Sequence, residues 1–149
     1  MAAAAATLHA SCVVVGEAGL VIRGASGSGK SSLARQIVRA GERGGLFARL
    51  VSDDRVRIEA CHGRVLASPV AAIAGCIEVR GIGLVTVPFE GAAIVRWVVD
   101  LSEDPPRFPE AAEGTVPLCG VAVPRLQATI EPGLAEAVLL RLHHPVTPS

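Results

Sequence analysis

The sequence predicts a strand-rich α/β fold with two helices, and two observations lead to this prediction. Runs rich in β-branched residues, separated by glycine-containing turns, recur between Cys12 and Ile130 and predict strands. Apolar residues recur at a helical period in Ser31–Ala40, directly after a glycine-rich segment, and again in Leu134–Leu142 near the C-terminus.

The strands are predicted from short apolar runs bounded by turn residues. They are Cys12–Val15, Leu20–Arg23, Leu46–Ser52, Arg55–Ala60, Arg64–Ala67, Ile77–Val79, Leu84–Val87, Ala92–Leu101 and Gly120–Ile130. Gly16–Gly19 and His62-Gly63 are predicted hairpin turns, and Gly81–Gly83 is a predicted kink between two strands. Residues 102–117 hold several prolines and acids, so we expect an exposed loop there.

The two helices have recognisable ends. Gly41 is predicted to stop the first helix, and Pro132 is expected in the first turn of the second. His143 and His144 are interpreted as solvated chain-end residues rather than metal ligands. We expect one domain over residues 1–149, with loose tails at 1–7 and 143–149.

Composition excludes several classes of function. The formal net charge is zero and no Lys/Arg-rich run occurs, so we expect no nucleic-acid partner. No apolar run reaches the roughly 18 residues that span a bilayer, so no membrane partner is expected. The four cysteines form no C-x-x-C pair and have no metal-ligand spacing, which favours buried thiols in a reducing cytoplasm.

The glycine-rich segment matches a phosphate-binding loop in full. Residues 24–31 fit the pattern G-x-x-x-x-G-K-[ST], with a predicted strand before them and a predicted helix after them. Such glycines let backbone N–H groups surround phosphate oxygens, while the lysine bridges phosphates and the serine hydroxyl can ligate Mg²⁺. The predicted nucleotide-binding residues are Gly24, Ala25, Ser26, Gly27, Ser28, Gly29, Lys30, Ser31 and Ser32.

Two adjacent acids end the predicted strand Leu46–Ser52, about two dozen residues after the loop. A neighbouring strand would deliver Asp53 and Asp54 to the phosphates, where one can hold the metal or its water. The other can accept a proton from an attacking hydroxyl. A helix cap or a turn is the alternative interpretation of such a pair.

Four separated blocks resemble the HPr kinase/phosphorylases, bacterial enzymes that phosphorylate a serine of the phosphocarrier protein HPr. The blocks are Leu8-His9-Ala10, the phosphate loop, Leu50–Asp54 and Ile77–Gly83. The last has the most specific pattern, E-[hydrophobic]-R-G-[hydrophobic]-G. The resemblance covers roughly residues 8–142 and implies an α/β kinase domain of the HPr kinase and phosphoenolpyruvate carboxykinase type.

The resemblance also implies roles for individual residues. His9, which lies 22 residues before Ser31, matches the active-site histidine, and Asp54 matches the acceptor of the serine proton. Glu78 matches a metal ligand beside Ser31, with Asp53 in support. Arg107 resembles a catalytic arginine. ATP and Mg²⁺ are the implied cofactors, HPr or a related phosphocarrier the implied partner, and a homo-oligomer, commonly a hexamer, the implied assembly.

The sequence also departs from the family pattern. It begins almost at the catalytic core, as in the short form found in some α-proteobacteria, and Ser32 stands where many members have an acid. The loop P-x-x-P-G-R-N, associated with dephosphorylation, has no clear copy, although Val123-Pro124-Arg125-Leu126 begins similarly. The kinase interpretation is therefore favoured over the phosphorylase one. The alternatives are a nucleotide-sensing module without turnover, another small kinase, or a carboxykinase relative.

Overall fold

The computed structural model describes residues 5–104 and 113–145, and it confirms the predicted strand-rich α/β fold. The strands are β1 (Ala5–Leu8), β2 (Ser11–Val15), β3 (Ala18–Arg23), β4 (Ala48–Ser52), β5 (Val56–Cys61), β6 (Arg64–Pro69), β7 (Cys76–Val79), β8 (Gly83–Thr86), β9 (Ala93–Leu101), β10 (Glu113–Leu118) and β11 (Val121–Ala128). The helices are α1 (Lys30–Arg43) and α2 (Leu134–His143), and Ala71–Ile73 form a short 3-10 turn.

Most of these strands form one mixed sheet in the order β1-β5-β6-β9-β3-β2-β4, while β7 and β8 form a separate hairpin. Strands β3 and β11 both pair parallel to β9, and β2 is antiparallel to both β3 and β4. The carboxyl ends of β3, β4, β9 and β11 therefore lie at the same edge of the sheet, together with the amino end of β2. Ligands of open α/β sheets bind outside this kind of edge.

The two helices cover one face of the sheet. Buried side chains of α1, among them Leu33 and Ile37, pack with Leu20 and Ile22 of β3 and with Val138 of α2. On the other face, buried residues from β2, β3, β5, β6, β9, β10 and β11 form a second apolar core. Neither helix of the described residues is long and apolar enough to cross a membrane.

Helix α1 does not stop at Gly41, so that prediction was wrong. Gly41 is buried inside the helix, where an added Cβ would lie 2.9 Å from the Cβ of Ala48. The glycine therefore allows close packing of α1 on β4. The helix ends at Arg43, and the N–H of the capping residue Gly44 donates to the carbonyl of Ala40 at 3.1 Å.

Of the expected loose tail at residues 1–7, residues 5–7 are corrected, because Ala5–Leu8 pair antiparallel with Val56–Glu59 of β5, while residues 1–4 lie outside the described residues. The sequence does not predict this strand because alanine has a low strand propensity. Strand β1 is ordered by its backbone pairing with β5. Within the predicted loop 102–117, Glu113–Leu118 form β10. The left-handed turn Cys119-Gly120, with φ values of 48° and 79°, folds β10 back onto β11.

Two details of the second helix differ from prediction. Helix α2 begins after Gly133, so Pro132 precedes the cap instead of lying in the first turn. His143 is the last helical residue and its Nδ1 lies 2.7 Å from the carbonyl oxygen of Leu139, so it does not belong to a loose tail.

Candidate functional site

The glycine-rich loop, residues 24–29, connects the end of β3 to the start of α1 at the edge described above. Gly27 and Gly29 have φ values of 80° and 101°, which favour glycine, and the Ser28 N–H donates to the Ala25 carbonyl at 3.0 Å. An added Cβ at Gly24 would lie 2.5 Å from the Ser28 Oγ and 3.2 Å from the Cβ of Leu101. The loop thus adopts the tight curl that the motif predicts.

Three features of the loop suit an anion. The Ser28 hydroxyl is buried without a hydrogen-bond partner among the described residues. The cap residue Gly29 supplies no side-chain hydrogen bond to the first turn of α1, and that turn carries no acid. The N–H groups of such a turn attract negative charge, and Ser32 lies half-buried within it.

Lys30 opens α1 and its side chain lies back over the loop. Its Nζ donates to the carbonyls of Gly24 at 3.0 Å and Ala25 at 3.1 Å. Lys30 is 6 % exposed, so its ammonium is held close to the curled backbone. An ammonium so placed can neutralise phosphate charge there.

The carboxylate of Asp53 joins three parts of the site. Its Oδ1 accepts hydrogen bonds from the hydroxyls of Ser11 and Ser31, each at 2.7 Å. Its Oδ2 accepts the backbone N–H of Glu78 at 3.2 Å. Asp53 is 4 % exposed, and these donors compensate the burial of its charge.

Asp54 and His9 lie side by side next to this buried centre. The Nε2 of His9 is 3.6 Å from the Oδ1 of Asp54, and both side chains are more than half exposed, at 55 % and 61 %. Asp54 has a left-handed backbone with φ 66°, a conformation that aspartate tolerates. The turn at the end of β4 therefore points one acid of the pair inward and leaves the other accessible to a substrate.

Oxygen groups suited to Mg²⁺ meet at this point. The Ser31 hydroxyl and the Asp53 carboxylate are in contact, and β7 brings the backbone of Glu78 against Asp53 while the Glu78 side chain remains exposed. Within residues 5–104 and 113–145, no group of three or more His, Cys, Asp or Glu side chains is arranged to enclose a metal. A sparse set of oxygen ligands fits Mg²⁺, which usually keeps waters and phosphate oxygens.

Next to the loop, two arginines share one carboxylate. Asp100, at the end of β9, accepts two hydrogen bonds from Arg23 at 2.7 and 2.8 Å and one from Arg125 at 2.7 Å. Arg125 also donates to the Gln127 side chain at 3.3 Å. Burial pushes the pKa of Asp100 up, but hydrogen bonds and attraction from the two arginines outweigh it and hold that pKa below its ordinary value.

The structure therefore brings the predicted residues into two groups, Ser31 with Asp53 and Glu78, and His9 with Asp54. Arg107 lies outside the described residues. Sequence reasoning missed Ser11, although a serine opening the fully buried strand β2 is a usable signal. Sequence patterns do not predict Arg23 and Asp100 as site residues, and they indicate Arg125 only as part of a loop motif.

A glycine-rich loop between a strand and a helix, with acids from the neighbouring strand beside its serine, is the arrangement typical of the class of phosphate-loop domains. The comparisons narrow this class. The family model described as "HPr Serine kinase C-terminal domain" matches residues 1–102, more than half of the chain, so the chain belongs to this family. The resemblance predicted from the sequence is confirmed.

Individual relatives agree with this assignment. The chain is 38 % identical over 81 residues to the HPr kinase/phosphorylase of Clostridium tetani, covering 54 % of this chain and 25 % of the relative. It is 28 % identical over 148 residues to the HPr kinase/phosphorylase of Brevibacillus brevis, covering 91 % of this chain and 46 % of the relative. The chain thus spans less than half the length of these curated relatives.

A solved structure extends the likeness to most of the fold. The chain superimposes on the Hpr(Ser) kinase/phosphatase from Coxiella burnetii with a TM-score of 0.78 and 26 % sequence identity. The match covers 93 % of this chain and 95 % of that one. The predicted kinase-domain architecture is therefore confirmed.

Proposed function

We propose that this protein is an ATP- and Mg²⁺-dependent protein serine kinase whose substrate is HPr or a related phosphocarrier. The observation that carries the proposal is the different burial of the two adjacent acids that follow β4. Asp53 is buried against the phosphate-loop serine, while Asp54 is exposed beside His9. One acid thus faces the nucleotide side and the next faces the protein acceptor.

The loop residues bind the nucleotide in this proposal. Backbone N–H groups of residues 24–29 and the first turn of α1 hold the phosphate oxygens, and the unpaired Ser28 hydroxyl gains a partner. Lys30 exchanges its hydrogen bonds with the Gly24 and Ala25 carbonyls for phosphate oxygens. These contacts position the terminal phosphoryl group at the sheet edge, opposite the acids.

Asp54 receives the proton of the attacking serine. As the serine oxygen bonds to the terminal phosphorus, the bond from that phosphorus to ADP breaks, and the hydroxyl proton moves to the Asp54 carboxylate. His9, at 3.6 Å, orients that carboxylate. Arg107, as the resemblance implies, offsets charge on the transferring group.

Ser31, Asp53 and Glu78 are the residues that would hold Mg²⁺, and the bound ion supplies neutralisation of phosphate charge. Asp53 keeps the Ser31 hydroxyl oriented through its 2.7 Å hydrogen bond. We place the reaction in the cytoplasm, because four cysteines without C-x-x-C or metal-ligand spacing favour thiols in a reducing compartment. The expected assembly is a homo-oligomer, commonly a hexamer, as the family resemblance implies. Phosphorylation is the favoured direction, since the loop associated with dephosphorylation has no clear copy.

The test is incubation of the protein with γ-labelled ATP, Mg²⁺ and purified HPr, followed by identification of the modified residue. We expect label on one HPr serine and none when Mg²⁺ is chelated. An HPr variant with that serine changed to alanine is the matched control. Nucleotide binding without phosphoserine on any phosphocarrier would overturn the proposal and leave a nucleotide-sensing module.

A further inference from the structure

A cavity of about 540 Å³ lies beside α1, along the part of the helix that follows Ala34. Helix α1, strand β4 and the β7–β8 hairpin line it, its mouth is open to solvent, and residues 24–32 contribute nothing to its lining. Its interior is apolar, formed by Val38, Ile77, Val79, Val85 and Val87. Cavities of this size with apolar walls and a few polar groups are typical of small-molecule sites.

The charges around this cavity are unbalanced. Arg35, Arg39 and Arg49 line it with a single acid, Glu42, and all four side chains are exposed. Arg35 and Arg39 lie four residues apart on α1, a spacing at which like charges repel. The guanidinium of Arg49 lies over the ring of Phe47, 5.0 Å from its centroid, so Phe47 fixes this cation beside the cavity.

We propose that this cavity binds a small amphipathic anion, a medium-chain carboxylate or a molecule of the same chemistry, with its apolar body against the valines and its charge among the three arginines. An anion there relieves the repulsion between the arginines, and its apolar part covers surface that water now contacts. A neutral ligand gains only from covering the apolar surface. A cation gains from that burial as well, but it is repelled by the arginines. The charge balance therefore selects anions.

The probe is decanoate, with decan-1-ol and decyltrimethylammonium as matched neutral and cationic ligands of equal chain length. Isothermal titration calorimetry and amide chemical-shift mapping on the whole chain give affinity and location. We expect decanoate to bind about tenfold more tightly than decan-1-ol and to shift amides of Ala34, Val38 and Val85. Shortening the chain to octanoate should weaken binding by up to about fourfold per CH₂ removed.

Variants distinguish specific binding in this cavity from non-specific adsorption to the protein surface. The triple change Arg35→Gln, Arg39→Gln and Arg49→Gln should weaken decanoate by about tenfold and leave decan-1-ol unchanged. The control is the triple change Arg43→Gln, Arg57→Gln and Arg96→Gln, which removes equal charge from exposed positions outside the lining. It should change the affinity for neither decanoate nor decan-1-ol. Val38→Trp, if its melting temperature matches wild type, should abolish binding by filling the cavity.

Three results would overturn the proposal. They are equal affinity for the three head groups, an equal loss in the two triple variants, and shifts that map away from the cavity. Lys30→Ala should leave decanoate binding intact because the loop is not part of this site. The inference can therefore stand or fall separately from the proposed kinase activity.

Discussion

The hydroxyl of Ser31 donates to the carboxylate of Asp53 at 2.7 Å, which joins the first turn of α1 to the end of β4. The same Asp53 oxygen accepts the Ser11 hydroxyl, and the other accepts the Glu78 N–H. A single buried carboxylate thus sets the relative positions of the phosphate loop, the amino end of β2 and the β7 strand. Stability and nucleotide binding should therefore both depend on it.

Asp53→Asn should reduce both the stability of the protein and its affinity for the nucleotide. The amide has one acceptor oxygen and its NH₂ group would face donors, so we expect about 2 kcal/mol of destabilisation. The Mg²⁺-dependent part of ATP affinity should fall at least tenfold, by about 1.4 kcal/mol. Urea denaturation and ATP titrations with and without Mg²⁺ measure the two effects. Ser11→Ala, which removes one donor, is the milder comparison, and unchanged Mg²⁺ dependence in Asp53→Asn would contradict the assigned role.

Asp54→Asn should separate binding from transfer. Its side chain is exposed and contacts His9 only at 3.6 Å, so we expect a normal fold and ATP affinity. Phosphoryl transfer to HPr should fall by about 10²–10⁴-fold because the proton acceptor is lost. His9→Gln should cause a smaller loss, and the exposed acid change Glu17→Gln is the matched control. A transfer rate for Asp54→Asn equal to that of the control would exclude Asp54 as the proton acceptor.

Gly24→Ala should damage the phosphate loop without unfolding the protein. The new Cβ would lie 2.5 Å from the Ser28 Oγ and 3.2 Å from the Leu101 Cβ, so the loop must shift. We expect ATP affinity to fall at least tenfold, comparable to the loss in Lys30→Ala. Ser26→Ala keeps the backbone N–H groups that the loop offers to phosphate and changes only an exposed side chain, so it should bind ATP normally. Fluorescence titration with a labelled nucleotide compares the variants. Tight binding by Gly24→Ala would show that the loop tolerates the shift.

Local patterns made part of this structure predictable. The phosphate loop, the helix behind it and the acids after β4 each follow from residues adjacent in sequence, as does the His62-Gly63 hairpin. Strand β1 was not predictable in this way, since alanine carries little strand preference and the pairing partner lies some fifty residues away. Strand β10 was not predictable either, because the prolines and acids of residues 102–117 indicate a loop. Its order comes from its pairing with β11.

The polar network was the less predictable part of the site. Arg23 and Asp100 are 77 residues apart, and they meet because parallel pairing of β3 with β9 places them directly opposite each other. Ser11 and Asp53 are 42 residues apart and meet through the β2–β4 pairing. Each contact depends on the register of paired strands, and single-sequence patterns do not determine that register.

Gly41→Ala should destabilise the protein although alanine is the better helix former. The change contributes about 1 kcal/mol of helix propensity, but the new Cβ meets the Ala48 Cβ at 2.9 Å and forces α1 away from β4. We expect a net loss of about 1–2 kcal/mol in the free energy of unfolding. Gly91→Ala, which meets nothing within 4 Å, should be close to neutral in the same urea titrations. A stabilised Gly41→Ala variant would show that the helix can move without cost.

Asp100→Asn should destabilise the protein in a pH-dependent manner. The Arg23 and Arg125 guanidiniums hold the pKa of Asp100 below its ordinary value despite the opposing effect of burial. A carboxyl whose folded-state pKa is lowered contributes stability above its unfolded pKa of about 4 and loses that contribution as pH falls through the folded value. We expect wild type to exceed the variant by roughly 2 kcal/mol at pH 7, with the difference shrinking only below about pH 4.

Urea denaturation at pH 7, 5, 4 and 3 measures this difference directly. Asp104→Asn, an exposed acid change on the same chain segment, is the control and should match wild type throughout. Because Arg23 directly precedes Gly24, Asp100→Asn should also weaken ATP binding at pH 7 while Asp104→Asn should not. A stability difference that stayed constant from pH 7 to pH 3 would mean that the ionised carboxylate contributes nothing, and that Asp100 stabilises the strand ends by shape alone.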